Sequence, residues 1–445
     1  MSHVQRRVDW AIVGGGLCGI TAARYLRTGF ELFEAAERLG GLARSERIGG
    51  HTFDHTGHWL HLRDRGIKQL VGRLLGDELI SVARKSRIFS HGVLTRYPFQ
   101  ANLHGLPPRV AYECLRSFLD RSPPRRRGRR RTFADFIVEH FGEGIARHFM
   151  LPYNERIWGV HPREMTDAWC QRFVPIPSRD EVLAGAVGAR LPELGYNASF
   201  RYPREGGIEA LPRALAADLD PSRVQCNAAV ERVDHRGHRI RVGGEWIGYR
   251  ALVPTVPLPV LCRLLTEPPK RVVRAAEQLR WTAVRHLLVA TKRPPREDFH
   301  WIYVPERHYP AYRVGVYSNA APAMAPKRGA SLYVELATRG RERLETLMRG
   351  VMPLLVESGA LRRAEDLKFA RLARIEHAYV IYDHHWARAR QTLLGFFARH
   401  DIYPRGRYGA WQYGSMEDAM LEGREVAQTL RARYKRRPDD RASRD

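Results

Sequence analysis

The amino-terminal segment constrains the fold of this chain more than any other part. A short apolar stretch at residues 8–13 runs directly into Gly14, Gly16 and Gly19, and apolar residues then recur at helical spacing over Leu17–Leu26. In a Gly-x-Gly-x-x-Gly pattern the first glycine makes a tight turn, the second lets a pyrophosphate approach the backbone, and the third lets helix and strand pack closely. The N-terminus of the helix offers free N–H groups to phosphates. The pattern therefore predicts a dinucleotide site.

A carboxylate at the end of the next strand strengthens this prediction. Residues 30–34 have the pattern of a second strand that ends in Glu34, fifteen residues after Gly19. A carboxylate at that place can accept hydrogen bonds from ribose hydroxyls. Glycines that served only a tight turn would explain neither the acid nor the order of strand, glycines, helix, strand and acid.

The rest of the chain predicts further domains around this unit. With 445 residues, 44% of them hydrophobic, it is long enough for two or three domains with their own cores. Residues 66–170 have a mainly helical pattern, and short alternating strands follow from 199 to 335. We predict an α/β fold: a Rossmann-like dinucleotide-binding domain with a helical insertion and an antiparallel-sheet substrate domain. The predicted bounds are 1–65 with 200–260 and 400–434 for the nucleotide domain, 66–198 for the insertion with a mobile substrate loop, 261–399 for the substrate domain and 435–445 for a tail.

The charge of the chain favours anionic partners. Its formal net charge is +26, and the densest basic run covers residues 121–131. That run has no interleaved aromatics and no recognisable nucleic-acid reader around it, so we expect no sequence-specific nucleic-acid binding. A solvated basic loop is the first interpretation of the Arg125–Arg131 run, and peripheral contact with an anionic surface or an acidic partner is the alternative.

The cysteines and the hydropathy indicate the cellular compartment. The five cysteines are scattered without metal-ligand or redox spacing, which favours a reducing cytoplasm, no disulfide framework and no metal site. No apolar run approaches about 18 residues, so no membrane span is expected. Arg6 and Arg7 before an apolar stretch resemble a signal peptide, but the glycine spacing inside that stretch favours a strand and turn of the mature fold.

The residues after Glu34 resemble the amine-oxidase and protoporphyrinogen-oxidase-like FAD-dependent superfamily. Residues 34–45 carry an acid, a basic residue and two adjacent glycines, which run along the cofactor in that superfamily, and residues 406–419 resemble its C-terminal segment, which returns to the pyrophosphate and the flavin. The resemblance implies FAD as the cofactor. It implies that the cofactor is held by Gly14, Gly16, Gly19, Glu34, Gly40, Gly41, Arg44, Gly207, Val233, Gly406, Arg407, Met416 and Asp418.

Further segments resemble the UDP-galactopyranose mutases, in particular their eukaryotic-type branch. These segments are residues 53–58, 96–102, 152–158, 171–174, 196–207, 301–319, 378–379 and 409–413. The resemblance implies that His58 lies against the flavin and that Arg172 and Arg313 bind a diphosphate. It implies a substrate site formed by Tyr97, Gln100, Asn154, Trp158, Asn197, Trp301, Tyr303, Tyr379 and Tyr413.

The chemistry implied by this resemblance is an isomerisation without net redox change. In the mutases, reduced FAD acts as a covalent catalyst that exchanges the pyranose and furanose forms of UDP-galactose. Planar guanidinium groups suit the two phosphate charges of such a nucleotide-diphosphate sugar. The reduced cofactor is expected to be the active form, with NAD(P)H as a candidate reductant.

Two departures from the mutase pattern keep a second function open. Ala320 stands where the mutases have another aromatic residue with a hydroxyl, and the loop after Tyr413 is shortened to residues 414–418. The shorter loop resembles the amine-oxidase and protoporphyrinogen-oxidase-like group. The alternative is therefore a FAD-dependent oxidoreductase that acts on a small molecule.

Each candidate residue also has a purely structural interpretation. Taken singly, Arg172 and Arg313 could be surface arginines, and His58 could be a loop histidine with its hydrogen bonds satisfied. The three tyrosines Tyr303, Tyr379 and Tyr413 could be core aromatics with a polar tip. A third class of function, a flavoprotein that docks on an anionic partner through its basic run, is also left open.

Overall fold

A computed structural model of the chain describes residues 6–121, 131–189, 198–338 and 340–434, without the side chains of residues 171 and 172. Its strands are β1 Arg6–Val13, β2 Phe30–Phe33, β3 Ser45–Ile48, β4 His51–Asp54, β5 Leu79–Ala83, β6 Ser86–Ser90, β7 Val93–Arg96, β8 Ser199–Pro203, β9 Val224–Gln225, β10 Val230–Asp234, β11 Arg239–Val242, β12 Glu245–Pro254, β13 Trp281–Thr291, β14 Trp301–Tyr303, β15 Ala311–Val316, β16 Ala330–Leu336 and β17 Leu367–Val380. Its α-helices are α1 Leu17–Leu26, α2 Arg65–Leu75, α3 Pro108–Leu119, α4 Phe133–Ile145, α5 Leu151–Trp158, α6 Cys170–Phe173, α7 Arg179–Ala186, α8 Ala210–Ala216, α9 Leu258–Leu264, α10 Lys270–Glu277, α11 Tyr317–Ala320, α12 Leu344–Glu357, α13 Trp386–Ala398, α14 Gly406–Gly409 and α15 Met416–Arg433.

The first sheet forms the nucleotide-binding layer. Its strand order is β10-β11-β12-β1-β2-β9, with β12, β1, β2 and β9 parallel and the β10-β11-β12 part antiparallel. The apolar run of β1 is buried because helices cover both faces of a parallel sheet. Helix α1 packs against α15, and Gly423 permits this contact because a Cβ there would overlap the carbonyl of Cys18. The two ends of the chain therefore meet beside the glycine pattern.

The second sheet lies over the first and has the order β17-β13-β16-β15-β14-β6-β7. All its neighbours are antiparallel except β14 and β6. Successive side chains of a strand point to opposite faces of the sheet. In β13, Leu287 and Val289 pack in a hydrophobic core with α12, whereas Leu288 and Ala290 pack against the nucleotide-binding layer. The second sheet thus packs one face against α12 and the other against the nucleotide-binding layer.

Two parts of the structure differ from the predicted elements. The segment 66–198, predicted to be mainly helical, also contributes β5, β6 and β7, and the last two extend the second sheet. These strands have only four or five residues with Ser and Arg among them, so their sequence alternation is weak. The long edge strand β17 was not predicted either, because its apolar residues are interrupted by outward-facing basic residues.

The helices of the nucleotide-binding unit agree with the sequence. Helix α1 has the predicted bounds, and α15 begins at Met416 after a capping box formed by Ser415 and Asp418. Among the described residues, none of the helices combines the length and apolarity required to cross a bilayer.

Candidate functional site

The glycine pattern builds an open cradle at the N-terminus of α1. Gly14 has a φ of 104°, and a Cβ there would lie 2.5 Å from Thr255 Oγ1. A Cβ at Gly19 would overlap the carbonyl oxygen of Gly14, so the helix approaches the strand closely. At Gly16, by contrast, a Cβ would have only Gly41 Cα nearby, at 3.9 Å. Helix α1 has no side-chain cap and no acid in its first turn, so its N–H groups are available to an anion.

Glu34 is held beside this cradle by backbone hydrogen bonds. Its Oε2 accepts from Gly15 N at 2.6 Å and its Oε1 accepts from Ala36 N at 2.8 Å. Each carboxylate oxygen has a further lone pair, and the side chain lines the central cavity. The predicted ribose acceptor is thus oriented towards that cavity.

The pair Gly40-Gly41 closes one side of the cradle. Both residues have positive φ, 121° and 57°, and Gly40 N donates to Gly15 O at 2.8 Å. A Cβ at Gly41 would lie 3.1 Å from Gly16 Cα. Arg44 donates from Nε to Gly41 O at 2.9 Å, so this side chain supports the glycine loop.

A single cavity of about 500 Å³ joins the cradle to the second sheet. It is lined by residues from both ends of the chain and from the two sheets. The predicted site residues among its lining are Gly14, Gly16, Glu34, Gly40, Gly41, His58, Trp301, Tyr303, Arg313, Tyr379, Gly406, Arg407, Tyr413 and Met416. A cavity of this volume lies within the range of small-molecule and cofactor sites.

The C-terminal segment closes the cavity beside α1. Gly406 N donates to Glu422 Oε2 at 2.7 Å, and a Cβ at Gly406 would lie 3.0 Å from Cys18 Cβ. Glu417, which sequence reasoning missed, accepts from the backbone N–H groups of Arg63 and Asp64 at 2.5 and 2.7 Å. Asp418, a predicted cofactor ligand, caps α15. These carboxylates fix the backbone on this side of the cavity.

The segment Asp54–His58, which we call the histidine loop, enters the cavity from β4. Thr56, Gly57 and His58 line the cavity, and the buried Nδ1 of His58 has no hydrogen-bond partner among the described residues. Burial, with a smaller contribution from the neighbouring His55, lowers the pKa of His58 to about 4. At neutral pH His58 is therefore an uncharged ring.

A buried carboxyl anchors the start of this loop. Asp54 accepts hydrogen bonds from Ser45 Oγ at 2.6 Å, from Tyr202 Oη at 2.5 Å and from Ile208 N at 3.1 Å. Gly207 has a φ of 72°, and a Cβ there would lie 2.7 Å from Asp54 Oδ1. Burial raises the pKa of Asp54 to about 6, and the three donors oppose that rise.

The raised pKa of Asp54 gives stability a pH dependence that can be measured. Because the folded-state pKa of about 6 exceeds the unfolded value of about 3.9, the folded state binds more protons between these values. We expect the free energy of unfolding to fall by about 2 kcal/mol from this group as the pH rises from about 4 to about 6. Urea titrations of wild type and Asp54→Asn at both pH values would measure the difference. Equal pH slopes in the two proteins would contradict the assignment.

Arg313 and Glu335 form a buried ion pair on neighbouring strands β15 and β16. Arg313 Nη1 lies 3.2 Å from Glu335 Oε1, and Nη2 donates to Tyr153 Oη at 2.9 Å. Burial opposes the charged guanidinium, but Glu335 and the neighbouring tyrosines together outweigh it and raise the pKa of Arg313. Arg313 Nε and Glu335 Oε2 are buried without partners among the described residues. Both side chains line the cavity.

Three predicted tyrosines and two arginines form one wall of the cavity, which we call the tyrosine–arginine wall. Its members are Tyr303, Arg313, Tyr379, Arg407 and Tyr413. The Arg407 guanidinium carbon lies 4.8 Å from the ring centre of Tyr413 and 5.3 Å from that of Tyr379, and Arg313 lies 5.4 Å from that of Tyr303. Burial raises the pKa of Tyr303 and Tyr379, so both keep their hydroxyl protons at neutral pH.

Other predicted substrate residues lie behind this wall. Tyr97 packs on Tyr303 with ring centres 5.1 Å apart, and Trp158 packs on Tyr379 at 5.5 Å. Asn154 Nδ2 donates to Met150 O at 2.7 Å, and Gln100 Nε2 donates to Pro175 O at 2.9 Å. Tyr97 and Trp158 therefore pack directly on the wall, and Asn154 and Gln100 bind backbone carbonyls.

Of three further predicted residues, the structure describes the side chain of one. Val233 is buried in β10 within an apolar cluster. The backbone of Arg172 lies in α6, but its side chain lies outside the described part of the structure. Asn197, like residues 122–130 of the basic run, lies outside the described residues.

Sequence reasoning missed one buried acid of the site that a simple signal could have found. Glu335 ends the apolar strand segment Ser331-Leu332-Tyr333-Val334 and is 1% exposed. An acid in such a strand is seldom buried without a cationic partner. The spacing along one strand, however, cannot identify Arg313 as that partner.

Known proteins resemble this chain over most of its length. The family described as "Flavin containing amine oxidoreductase" matches residues 17–431. The structure aligns with a crystal structure of reduced UDP-galactopyranose mutase with a TM-score of 0.89 and 25% sequence identity, covering 96% of each chain. This likeness confirms the predicted α/β fold.

Among the relatives of this chain are two redox enzymes, an oxidase and a desaturase. Coproporphyrinogen III oxidase of Mycobacterium tuberculosis (strain ATCC 25618 / H37Rv) is 27% identical over 310 residues, which cover 61% of this chain. The matched region spans 64% of the length of that oxidase. The zeta-carotene-forming phytoene desaturase of Myxococcus xanthus is 24% identical over 388 residues, covering 73% of this chain and 71% of the desaturase.

Proposed function

This chain belongs to the flavin-containing amine oxidoreductase family. Within that family we propose that it is a flavin-dependent isomerase of a nucleotide sugar. The proposed reaction is of the UDP-galactopyranose to UDP-galactofuranose type. The likeness to reduced UDP-galactopyranose mutase over 96% of the chain supports this choice within the family. The glycine cradle, the uncapped N-terminus of α1 and Glu34 are suited to the pyrophosphate and a ribose of FAD.

The tyrosine–arginine wall is the observation that carries the proposal. Glu335 balances the charge of Arg313, whereas Arg407 has no carboxylate within ion-pair distance among the described residues. Arg407 donates instead to the carbonyls of Gly414 and Ala378, and its buried Nε has no partner there. The wall therefore keeps a net positive charge. Such a wall suits a diphosphate better than a cationic amine.

The residues of the wall would act by binding and orienting the substrate. The guanidinium charges of Arg407 and Arg313 would attract the phosphate oxygens, and the tyrosine hydroxyls would donate without adding charge. Reduced FAD, when bound, supplies the nucleophile for the anomeric carbon. The aromatic rings of Trp301 and Tyr303 would exclude water from the sugar, so that the activated sugar is not hydrolysed.

Trapping a flavin–sugar adduct tests the proposal. The protein is reduced with dithionite, incubated with UDP-galactose and a panel of other UDP-sugars, treated with cyanoborohydride and analysed by mass spectrometry. We expect an adduct with at least one UDP-sugar. Failure to trap an adduct across the panel would count against the proposal.

Arg407 provides a variant for the same assay. We expect Arg407→Met to weaken UDP binding about 10- to 100-fold, because one charge-assisted hydrogen bond contributes roughly 1.5–3 kcal/mol. The matched control is Arg349→Met, which removes an exposed arginine of α12 and should bind UDP as the wild type does. Calorimetry with UDP measures both affinities. If both variants lose the same UDP affinity, the loss comes from the lower net charge of the protein and not from a contact of Arg407 with UDP.

The second candidate function is a FAD-dependent oxidoreductase of a small molecule. The 27% identity to coproporphyrinogen III oxidase favours it, together with the short loop after Tyr413. Its mark would be a flavin that the substrate reduces and an acceptor reoxidises in every turnover. A stopped-flow absorbance trace separates the two functions, since the isomerase leaves the redox state of FAD unchanged.

A further inference from the structure

The histidine loop contains a strained backbone position. Thr56 has a φ of 68°, in the left-handed region that a β-branched residue adopts only when its surroundings impose it. The residue lines the cavity, as do Gly57 and His58 after it. Strain beside a ligand cavity needs a specific group that holds the backbone in place.

Tyr317 supplies this group from the second sheet. Its side chain is fully buried, and its hydroxyl lies 2.9 Å from the carbonyl oxygen of Asp54 and 2.9 Å from that of Thr56. One hydroxyl proton is thus shared between two carbonyls of the loop. The ring packs on Tyr333 with centres 5.0 Å apart, which limits its freedom to turn away.

Tyr317 reaches Thr56 O from the second sheet, whereas His58 contacts the backbone of Thr56 from within the loop. At Gly57 a Cβ would overlap the hydroxyl of Tyr333, so the loop passes directly over the second sheet. Beyond the loop, Trp59 stacks on Trp301 with ring centres 5.7 Å apart. Tyr317 also directly follows β15, the strand that carries Arg313.

We propose that Tyr317 is the positioning residue of the histidine loop: its hydroxyl holds Thr56 in the left-handed conformation and thereby keeps His58 in the cofactor cavity. The motif Tyr317-Ser318-Asn319 would thus fix the backbone of the histidine loop. Asn319 Nδ2 donates to Phe299 O at 2.7 Å and fixes the far end of the same turn. The inference concerns the FAD pocket and holds for either substrate class.

The test compares the FAD affinity of three variants. We expect Tyr317→Phe to raise the Kd for FAD about tenfold, because two buried carbonyls lose their donor and the loop relaxes. If Tyr317→Phe weakens the binding of only one redox form of FAD tenfold, the two-electron midpoint potential of the bound flavin shifts by ~30 mV. Hydrogen–deuterium exchange at residues 55–59 should rise as well. The matched control is Tyr249→Phe, which removes a buried hydroxyl that has no partner among the described residues.

Thr56→Gly separates strain from a general loss of packing. Glycine adopts positive φ about as readily as negative φ, so the third variant adds Thr56→Gly to Tyr317→Phe. In the Tyr317→Phe background it should recover most of the lost affinity. The proposal is overturned if Tyr317→Phe binds FAD as tightly as the wild type, if Tyr249→Phe loses as much, or if Thr56→Gly restores nothing. UDP binding and adduct trapping are independent of these outcomes.

Discussion

Gly16→Val is expected to give a folded protein that has lost nearly all of its FAD. A Cβ at Gly16 would have only Gly41 Cα within 4 Å, at 3.9 Å, so the surrounding protein leaves room for a Cβ at this position. The added methyl groups would instead occupy the space where the pyrophosphate approaches the backbone. We expect the affinity for FAD to fall at least about 100-fold, since the loss of both phosphate contacts exceeds ~3 kcal/mol. Flavin absorbance per purified chain and circular dichroism measure cofactor and fold separately.

Gly72→Ala is the control for this change. It also adds a side chain to a glycine, in helix α2, where no atom lies within 4 Å of the added Cβ. Helix propensity predicts a gain of roughly 0.5–1 kcal/mol in the free energy of unfolding and full FAD content. A Gly16→Val protein with normal flavin content would show that the cradle does not hold the pyrophosphate.

Arg313→Met is expected to destabilise the protein by about 3–5 kcal/mol. The change leaves Glu335, which is 1% exposed, without its cationic partner. An unpaired buried carboxylate either remains charged at high cost or takes up a proton, and both reduce the free energy of unfolding. Urea denaturation at pH 7 measures the loss.

The double variant Arg313→Met/Glu335→Gln separates stability from ligand binding. Removing both charges leaves no uncompensated buried ion, so most of the stability should return. UDP binding should stay weak in both variants, because neither has the guanidinium. If stability and UDP affinity recover together in the double variant, the proposed role of Arg313 at the diphosphate is wrong.

Local patterns explain how much of the nucleotide-binding unit could be predicted. Strand, glycine turn and helix are decided by neighbours a few residues apart, and α1 has the predicted bounds Leu17–Leu26. The fold class followed from the same unit. In the segment 66–198 the short strands β6 and β7 escaped prediction, because their partners lie elsewhere in the chain and their own alternation is weak.

In the candidate site, too, some residues could be predicted from the sequence and others could not. The resembling segments pointed to His58, Trp301, Tyr303, Tyr379 and Tyr413, and the structure brings all five to one cavity. Their supporting partners had no signature in the sequence. Glu417 holds backbone groups that lie 353 and 354 positions away in the chain, and Tyr317 holds the carbonyl of Thr56 261 positions away.

The sequence by itself determined that this chain builds a dinucleotide cradle at its N-terminus, because glycine spacing and strand–helix order are local properties of the backbone. Only the tertiary structure decided which charges in the cavity are compensated. Arg313 is balanced by Glu335 across two strands, whereas Arg407 keeps its charge among aromatic rings and carbonyls. Charge balance depends on distances between residues that folding brings together. Those distances cannot be predicted from the sequence around Arg313 or Arg407.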